Sequence, residues 1–291
     1  MINKKSDPEN YKKYLMQLHL SVFLFGMSGL FGKLVLMPAL VIVWGRVFFS
    51  SIFLSGVLKS KNSFEIIKGK TLLVFIVLGS ILTLHWFSFF KSIQNSTVAI
   101  GLITFSTFPF FVTIIEPYFF GEKFEIQNLF LSIITLLGVT LIVPEFNLSN
   151  KITQGVLWGL LSGFTYALLS IGNRKYVQKF NSLTISFYEQ FVSTIILFPF
   201  MFKYFSDFTI KNILLLVLLG VVFTAVSHSL FINSLKNIKA QTASIVSTLE
   251  PVYGIVFASI FLGENINLKT LIGGVLILSS VLYKTIKSYK K

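Results

Sequence analysis

Apolar residues run along this chain in long blocks separated by short polar gaps. A helix that crosses a bilayer needs roughly 20 mostly apolar residues. Ten blocks reach that length, near 16–36, 39–58, 71–92, 97–120, 124–144, 154–173, 182–202, 211–234, 241–262 and 267–285. The gaps carry turn and charge signals such as Met37-Pro38, Lys59-Ser60-Lys61-Asn62, Gly121-Glu122-Lys123, Pro144-Glu145-Phe146-Asn147, Arg174-Lys175 and Gly263-Glu264-Asn265. None could hold a soluble domain, so function is expected within or between the spans. The first block lacks a small-residue cleavage site and is followed by further spans, so it reads as a retained helix. The pattern predicts an all-α polytopic membrane protein with ten transmembrane helices.

Composition agrees and charge adds orientation. Of 291 residues, 54% are hydrophobic and only 12% charged, against about a quarter charged in soluble domains. The net charge of +14 raises the question of nucleic acid, but the apolar fraction argues against it. The charge is sided instead. With the N-terminus inside, the inner segments hold 18 Lys and Arg, and the outer ones only Lys33, Lys91, Lys151, Lys203, Lys211 and Lys269. Both termini are expected in the cytoplasm, and the protein in the cell's inner or plasma membrane. The absence of Cys excludes disulfide frameworks, thiolate nucleophiles and cysteine metal sites. No His-Glu-x-x-His or Ser-His-Asp set occurs, so no enzyme, metal or cofactor is expected. The sequons at Asn95 and Asn147 carry little weight.

An internal repeat emerges when the chain is slid by 142 residues. Phe89 falls on Phe231, Ser92 on Ser234, Asn95 on Asn237, Pro109 on Pro251, Gly121 on Gly263, Glu122 on Glu264 and Leu129 on Leu271. Pro-x11-Gly-Glu thus occurs twice, late in the fourth and ninth spans. Five spans per half is an odd number, so the halves, 1–148 and 149–291, are expected to enter the membrane in opposite senses. Inverted repeats let one central site open alternately to either side.

These residues also carry a family resemblance. Trp44-Gly45-Arg46-Val47-Phe48, Ser92 with Asn95, the two Pro…Gly-Glu elements, and Gly155…Trp158-Gly159…Tyr166-Ala167 resemble the EamA-type branch of the drug/metabolite transporter superfamily. The resemblance implies ten-helix transporters of small metabolites, often exporters, with the site between the halves. His85-Trp86 with Phe89-Phe90, the Glu before Pro251, and Glu116-Pro117 depart from the family's commonest pattern and point to a sub-branch.

Charge inside a bilayer costs about 2.5–3.5 kcal/mol on insertion scales, so each such residue asks for a reason. Glu250 lies about 15 Å into the ninth span at 1.5 Å per residue, beside helix-bending Pro251. Ser247, Glu250, Gly254 and Ala258 share one face. Glu189 shares a face of the seventh span with Ser186 and Ser193. Arg46 could hold a carboxylate or phosphate bidentately, snorkel to headgroups, or pair with a buried acid. Arg46 and the two acids together could clamp a zwitterion, with Glu250 and Glu189 able to relay protons. His85 with Trp86, Ser88 and Ser92, and Thr224 with Ser227 and His228, form two polar strips, for which hydrogen-bonded packing is the plainer reading. Substrate contacts are thus expected from Arg46, His85, Trp86, Glu189, His228 and Glu250. Glu116 reads as an inner gate acid or an interface-exposed one, and Lys33 and Lys91 as snorkelling. Glu122 and Glu264 read as architectural caps or ion-pair partners. Gly26, Gly29, Pro109, Pro251 and Gly254 are expected as hinge and packing positions, and Gly32, Gly159 and Gly163 as close helix contacts.

The sequence reads as a secondary transporter of a small polar metabolite, an amino acid or related compound first, exported by alternating access. A lipid or lipid-linked sugar flippase, and an exchanger of nucleotide sugars or other metabolites, remain as alternatives. The expected partners are the substrate, the bilayer and, compatibly, a second copy.

Overall fold

The computed structural model describes residues 8–121, 134, 137–138, 141, 147–204 and 208–289. Among them the regular structure is helical throughout: α1 Pro8–Ser28, α2 Phe31–Leu34, α3 Ala39–Ser60, α4 Gly69–Asn95, α5 Val98–Phe105, α6 Phe108–Phe120, α7 Lys151–Tyr176, α8 Ser182–Met201, α9 Ile210–Gly220, a π-helical turn Val221–Val226, α10 Ser227–Ser234, α11 Ala240–Val246, α12 Leu249–Leu262 and α13 Leu268–Tyr289. Eight helical segments among the described residues are long and apolar enough to cross a membrane. Their bounds follow the apolar blocks within a few residues; the block at 154–173, for example, is the segment Lys151–Tyr176. The block at 124–144 and Glu122 lie outside the described residues. The tenth block is α13, of which Leu268–Ser279 forms an apolar helix among the described residues. This is a multi-pass membrane protein.

Local chemistry sets the helix ends. Thr97, Asn150, Asn181 and Thr209 each accept a backbone N–H of the first turn with a side-chain oxygen, satisfying donors that a helix start leaves free. Gly121 and Gly263, the glycines of the repeated element, stop α6 and α12 in the left-handed region at φ 70° and 65°, where a Cβ would be strained.

The fourth and ninth spans are each broken at matching places. α5 gives way to α6 at Ser106-Thr107, and α11 to α12 at Ser247-Thr248. All four hydroxyls bond back to a carbonyl three or four residues earlier, at 2.7–2.9 Å, competing with the helical ladder. Pro109 and Pro251 then sit in the first turn of α6 and α12. There the missing N–H costs nothing, so the prolines start half-helices rather than bend a continuous one. α1 and α2 are likewise interrupted, at Gly29-Leu30.

Packing joins the two sequence repeats throughout. α1 lies against α10 and α12, α3 against α8 and α9, α4 against α7 and α8, α5 against α7 and α12, and α6 against α7 and α11. Ends meet opposite ends. Ser92, near the end of α4, donates to the Gly155 carbonyl at the start of α7 (2.6 Å). Asn233, near the end of α10, donates to Gln17 in α1 (2.8 Å). Leu20, Phe23, Leu73, Leu84, Ile195, Leu214, Val256 and Ile260 stay exposed, the apolar skin that lipid covers.

The closest approach is between α1 and α12. A Cβ on Gly254 would lie 2.2 Å from Leu102 Cδ1 and 2.8 Å from the Gly26 carbonyl oxygen. One on Gly26 would lie 2.9 Å from the Glu250 carbonyl oxygen. The backbones themselves block a side chain here, as small-residue contacts in membranes require. Gly254→Ala is therefore expected to destabilise the fold by about 1–3 kcal/mol, read as a lower melting temperature in detergent. Gly56→Ala, with nothing within 4 Å of its Cβ, should leave melting unchanged; equal melting for both variants would contradict the packing.

Candidate functional site

Seven helices converge on one narrow cavity with about 20 Å³ of free space. Phe25 and Ser28 come from α1, Arg46 from α3, His85, Trp86 and Phe89 from α4, Phe105 from α5, Tyr166 from α7, His228 from α10 and Glu250 from α12. All ten are buried.

Arg46 is the anchor, and at 1% exposure it does not snorkel. Its guanidinium stacks on the Trp86 ring, 3.9 Å from the centroid, a cation–π contact that is strong when desolvated. Nε donates to Thr224 Oγ1 at 2.9 Å and Nη2 to the Phe223 carbonyl at 3.4 Å. Both acceptors sit on the π-helical turn, where Thr224 Oγ1 itself donates to the Leu219 carbonyl at 2.8 Å. A π turn spoils the ordinary i→i−4 ladder and so frees carbonyls, a device frequent at functional sites. Nη1 has no hydrogen-bond partner among the described residues.

Glu250 comes from the second sequence repeat. It occupies the first turn of the half-helix α12, whose positive end favours a carboxylate. Arg46 and Glu250 act on each other electrostatically but form no ion pair. A cation and an anion thus face one cavity unpaired, each able to take a charge from a ligand.

The histidines divide the remaining polar work. His85 Nδ1 lies 3.1 Å from the Ser162 carbonyl. The Ser162 hydroxyl lies 3.0 Å from the same nitrogen, so α7 holds that edge of the ring. His228 Nε2 lies 2.8 Å from Glu189 Oε2, and its ring meets Trp86 edge-on. Glu189 therefore stands behind the cavity, fully buried, with Asn173 beside it. It orients His228 rather than lining the site. The expected polar strips divide: Ser92 bonds the Gly155 carbonyl and Ser227 the Thr224 carbonyl as packing, while Thr224 takes Arg46 and His85, Trp86 and His228 line the cavity.

Sequence reasoning brought Arg46, His85, Trp86, His228 and Glu250 to the cavity. It did not single out Phe25, Ser28, Phe105 or Tyr166 as lining residues. Tyr166 has a buried hydroxyl without a partner. An aromatic hydroxyl in mid-span, one helical face from Gly159 and Gly163, was its available signal. Glu116 is not exposed at an interface but buried and ion-paired with Arg174. Lys33 does not simply snorkel, since its Nζ donates to the Ser96 carbonyl at 2.8 Å. Glu264 is a cap: its carboxylate accepts the Val98 N–H at 3.0 and 3.1 Å. Among the described residues no cluster of His, Asp or Glu could hold a metal.

Known proteins place this architecture. A relative in Bacillus subtilis named as the transporter YxxF is 26% identical over 274 residues, 92% of this chain and 88% of its own. A pseudopaline exporter of Pseudomonas aeruginosa is 29% identical, covering 69% and 71%. An S-adenosylmethionine uptake transporter of Rickettsia bellii is 24% identical, covering 82% and 80%. A crystal structure superposes with a TM-score of 0.73 over 96% of this chain and 97% of the other at 11% identity, a likeness of fold alone. The EamA-like transporter family model matches twice, over residues 12–143 and 153–285. Two copies of the family domain thus account for nearly the whole chain, which belongs to the EamA-like transporter family.

Proposed function

We propose that this protein is a secondary transporter of a zwitterionic small metabolite, an amino acid or related compound, working by alternating access with export as its direction. One observation carries the reading: Arg46 and Glu250, from different sequence repeats, face one buried cavity without pairing. A carboxylate can take the free Nη1 of Arg46, an ammonium group can take Glu250, and the rings of Phe25, Trp86, Phe89, Phe105 and Tyr166 can hold an apolar body. His85, Trp86 and His228 complete the substrate contacts, while Glu189 acts on substrate through His228. The cargo named for the Rickettsia relative is a methionine derivative, and the Pseudomonas relative is named an exporter, which supports both parts of the reading.

In this account the two repeats, 1–148 and 149–291, are inverted five-span units, ten spans in all, in the cell membrane with both termini cytoplasmic. The opposed helix ends at Ser92–Gly155 and Asn233–Gln17 support opposite orientation. Glu250 is the proton-coupling group. It faces Arg46, His85, Tyr166 and His228, and Glu189 is a second acid one residue behind.

Counterflow in proteoliposomes tests the cargo. Vesicles preloaded with an amino acid should accumulate the labelled compound saturably. Flux no greater than in protein-free vesicles, for every amino-acid class, would overturn the assignment.

A further inference from the structure

Two polar clusters outside the cavity sit at opposite ends of the bundle. At one end Glu116 of α6 pairs with Arg174 of α7 and accepts the Gln241 N–H of α11 at 3.2 Å. Arg174 also stacks on Phe120, 4.3 Å from the ring centroid. Although a carboxylate, Glu116 is only 1% exposed. At the other end Glu264, just past α12, accepts the Val98 N–H that opens α5. Lys33 of α2 lies within electrostatic reach of Glu264 and ties down the neighbouring Ser96 carbonyl.

The clusters have the same plan. In each, an acid late in one repeat's broken span closes on the backbone amide that opens the broken span of the other repeat. In each, a cation from the end of that other repeat's first helix stands beside the acid. Shifted by 142 residues, Lys33 falls on Lys175, next to Arg174. The bonds cross between repeats, so the repeats cannot part at either end without breaking them. Both are made here, on either side of the cavity whose ten lining residues are all buried.

We propose that these clusters are two latches that decide which side the cavity opens to, the Glu116–Arg174–Gln241 latch at the cytoplasmic end and the Glu264–Val98–Lys33 latch at the outer end. This rests on the alternating-access reading of the same cavity. One latch opens while the other holds. Water entering with the opening hydrates the freed carboxylate, so its desolvation penalty disappears as the ion pair breaks. Losing a charge-assisted hydrogen bond shifts a two-state equilibrium by about tenfold or more. Weakening one latch therefore biases the protein toward that side.

The absence of cysteine makes a direct test possible. Ser28→Cys puts a single thiol on the cavity wall, to be modified by a membrane-impermeant methanethiosulfonate reagent from either face of oriented vesicles. Adding Glu116→Gln or Arg174→Ala should raise modification from the cytoplasmic face by about tenfold and not from outside. Adding Glu264→Gln or Lys33→Ala should do the reverse. The exchanged pair Glu116→Arg with Arg174→Glu should return the rate toward that of the unsubstituted latch, which a merely misfolded protein would not do. Rates unchanged, or raised equally from both faces, would overturn the latches. The assay uses no substrate, so failure to find an amino-acid cargo leaves its outcome untouched, and unsided labelling with intact flux sinks the latches alone.

Discussion

Arg46→Ala is expected to weaken substrate binding about 100-fold, because truncating one partner of a buried, hydrogen-bonded charge pair costs 2–5 kcal/mol or more. Three losses coincide at this position. The ligand anion loses its cation, Trp86 loses the group stacked 3.9 Å above it, and the Phe223 carbonyl on the π turn loses a donor. Arg46→Lys should recover little. A lysine keeps the charge, but a single ammonium cannot bond Thr224, Phe223 and a ligand through a planar fork. Titration calorimetry on purified protein reads this directly. Affinity within about threefold of the unsubstituted protein would remove Arg46 from the binding site.

Glu250→Gln is expected to remove the dependence of flux on the pH gradient while leaving substrate exchange. Glutamine keeps the size and hydrogen-bonding capacity of the carboxyl but cannot release a proton. Gradient-driven accumulation should fall about 100-fold, the lower end of the range expected for losing a general acid–base group, while counterflow without a gradient persists. Glu189→Gln can still accept the His228 N–H, so it should change binding far less than Glu250→Gln. A Glu250→Gln protein that keeps both its rate and its pH dependence would remove Glu250 from coupling.

Much of this was legible in the sequence, and the parts that were not have a common cause. Span positions follow from bilayer thickness, so Ala39–Ser60 and Gly69–Asn95 could be read from apolar run length. Arg46 and Glu250 stood out because burying charge is costly. The π turn under Arg46 had no such signal, since Val221–Val226 looks like any apolar helix. The role of Glu189 was misplaced because periodicity gives its face but not the His228 that meets it from another helix. Pro109 and Pro251 signalled a disturbance in the helix. Only the structure put the break ahead of them, at two Ser-Thr pairs whose hydroxyls draw off the carbonyls. Long-range partners such as Glu116–Arg174 and Glu264–Val98 depend on the packing of one repeat against the other, which no local pattern encodes.

The central claim is that the cargo lies between Arg46 and Glu250 in the buried cavity. A structure determined with a bound amino acid tests it most directly. The account predicts a carboxylate on the free Nη1 of Arg46, an ammonium group facing Glu250 and the side chain among Trp86, Phe89 and Tyr166. A ligand bound outside these residues, or one lying in the cavity with its carboxylate turned away from Arg46, would contradict it.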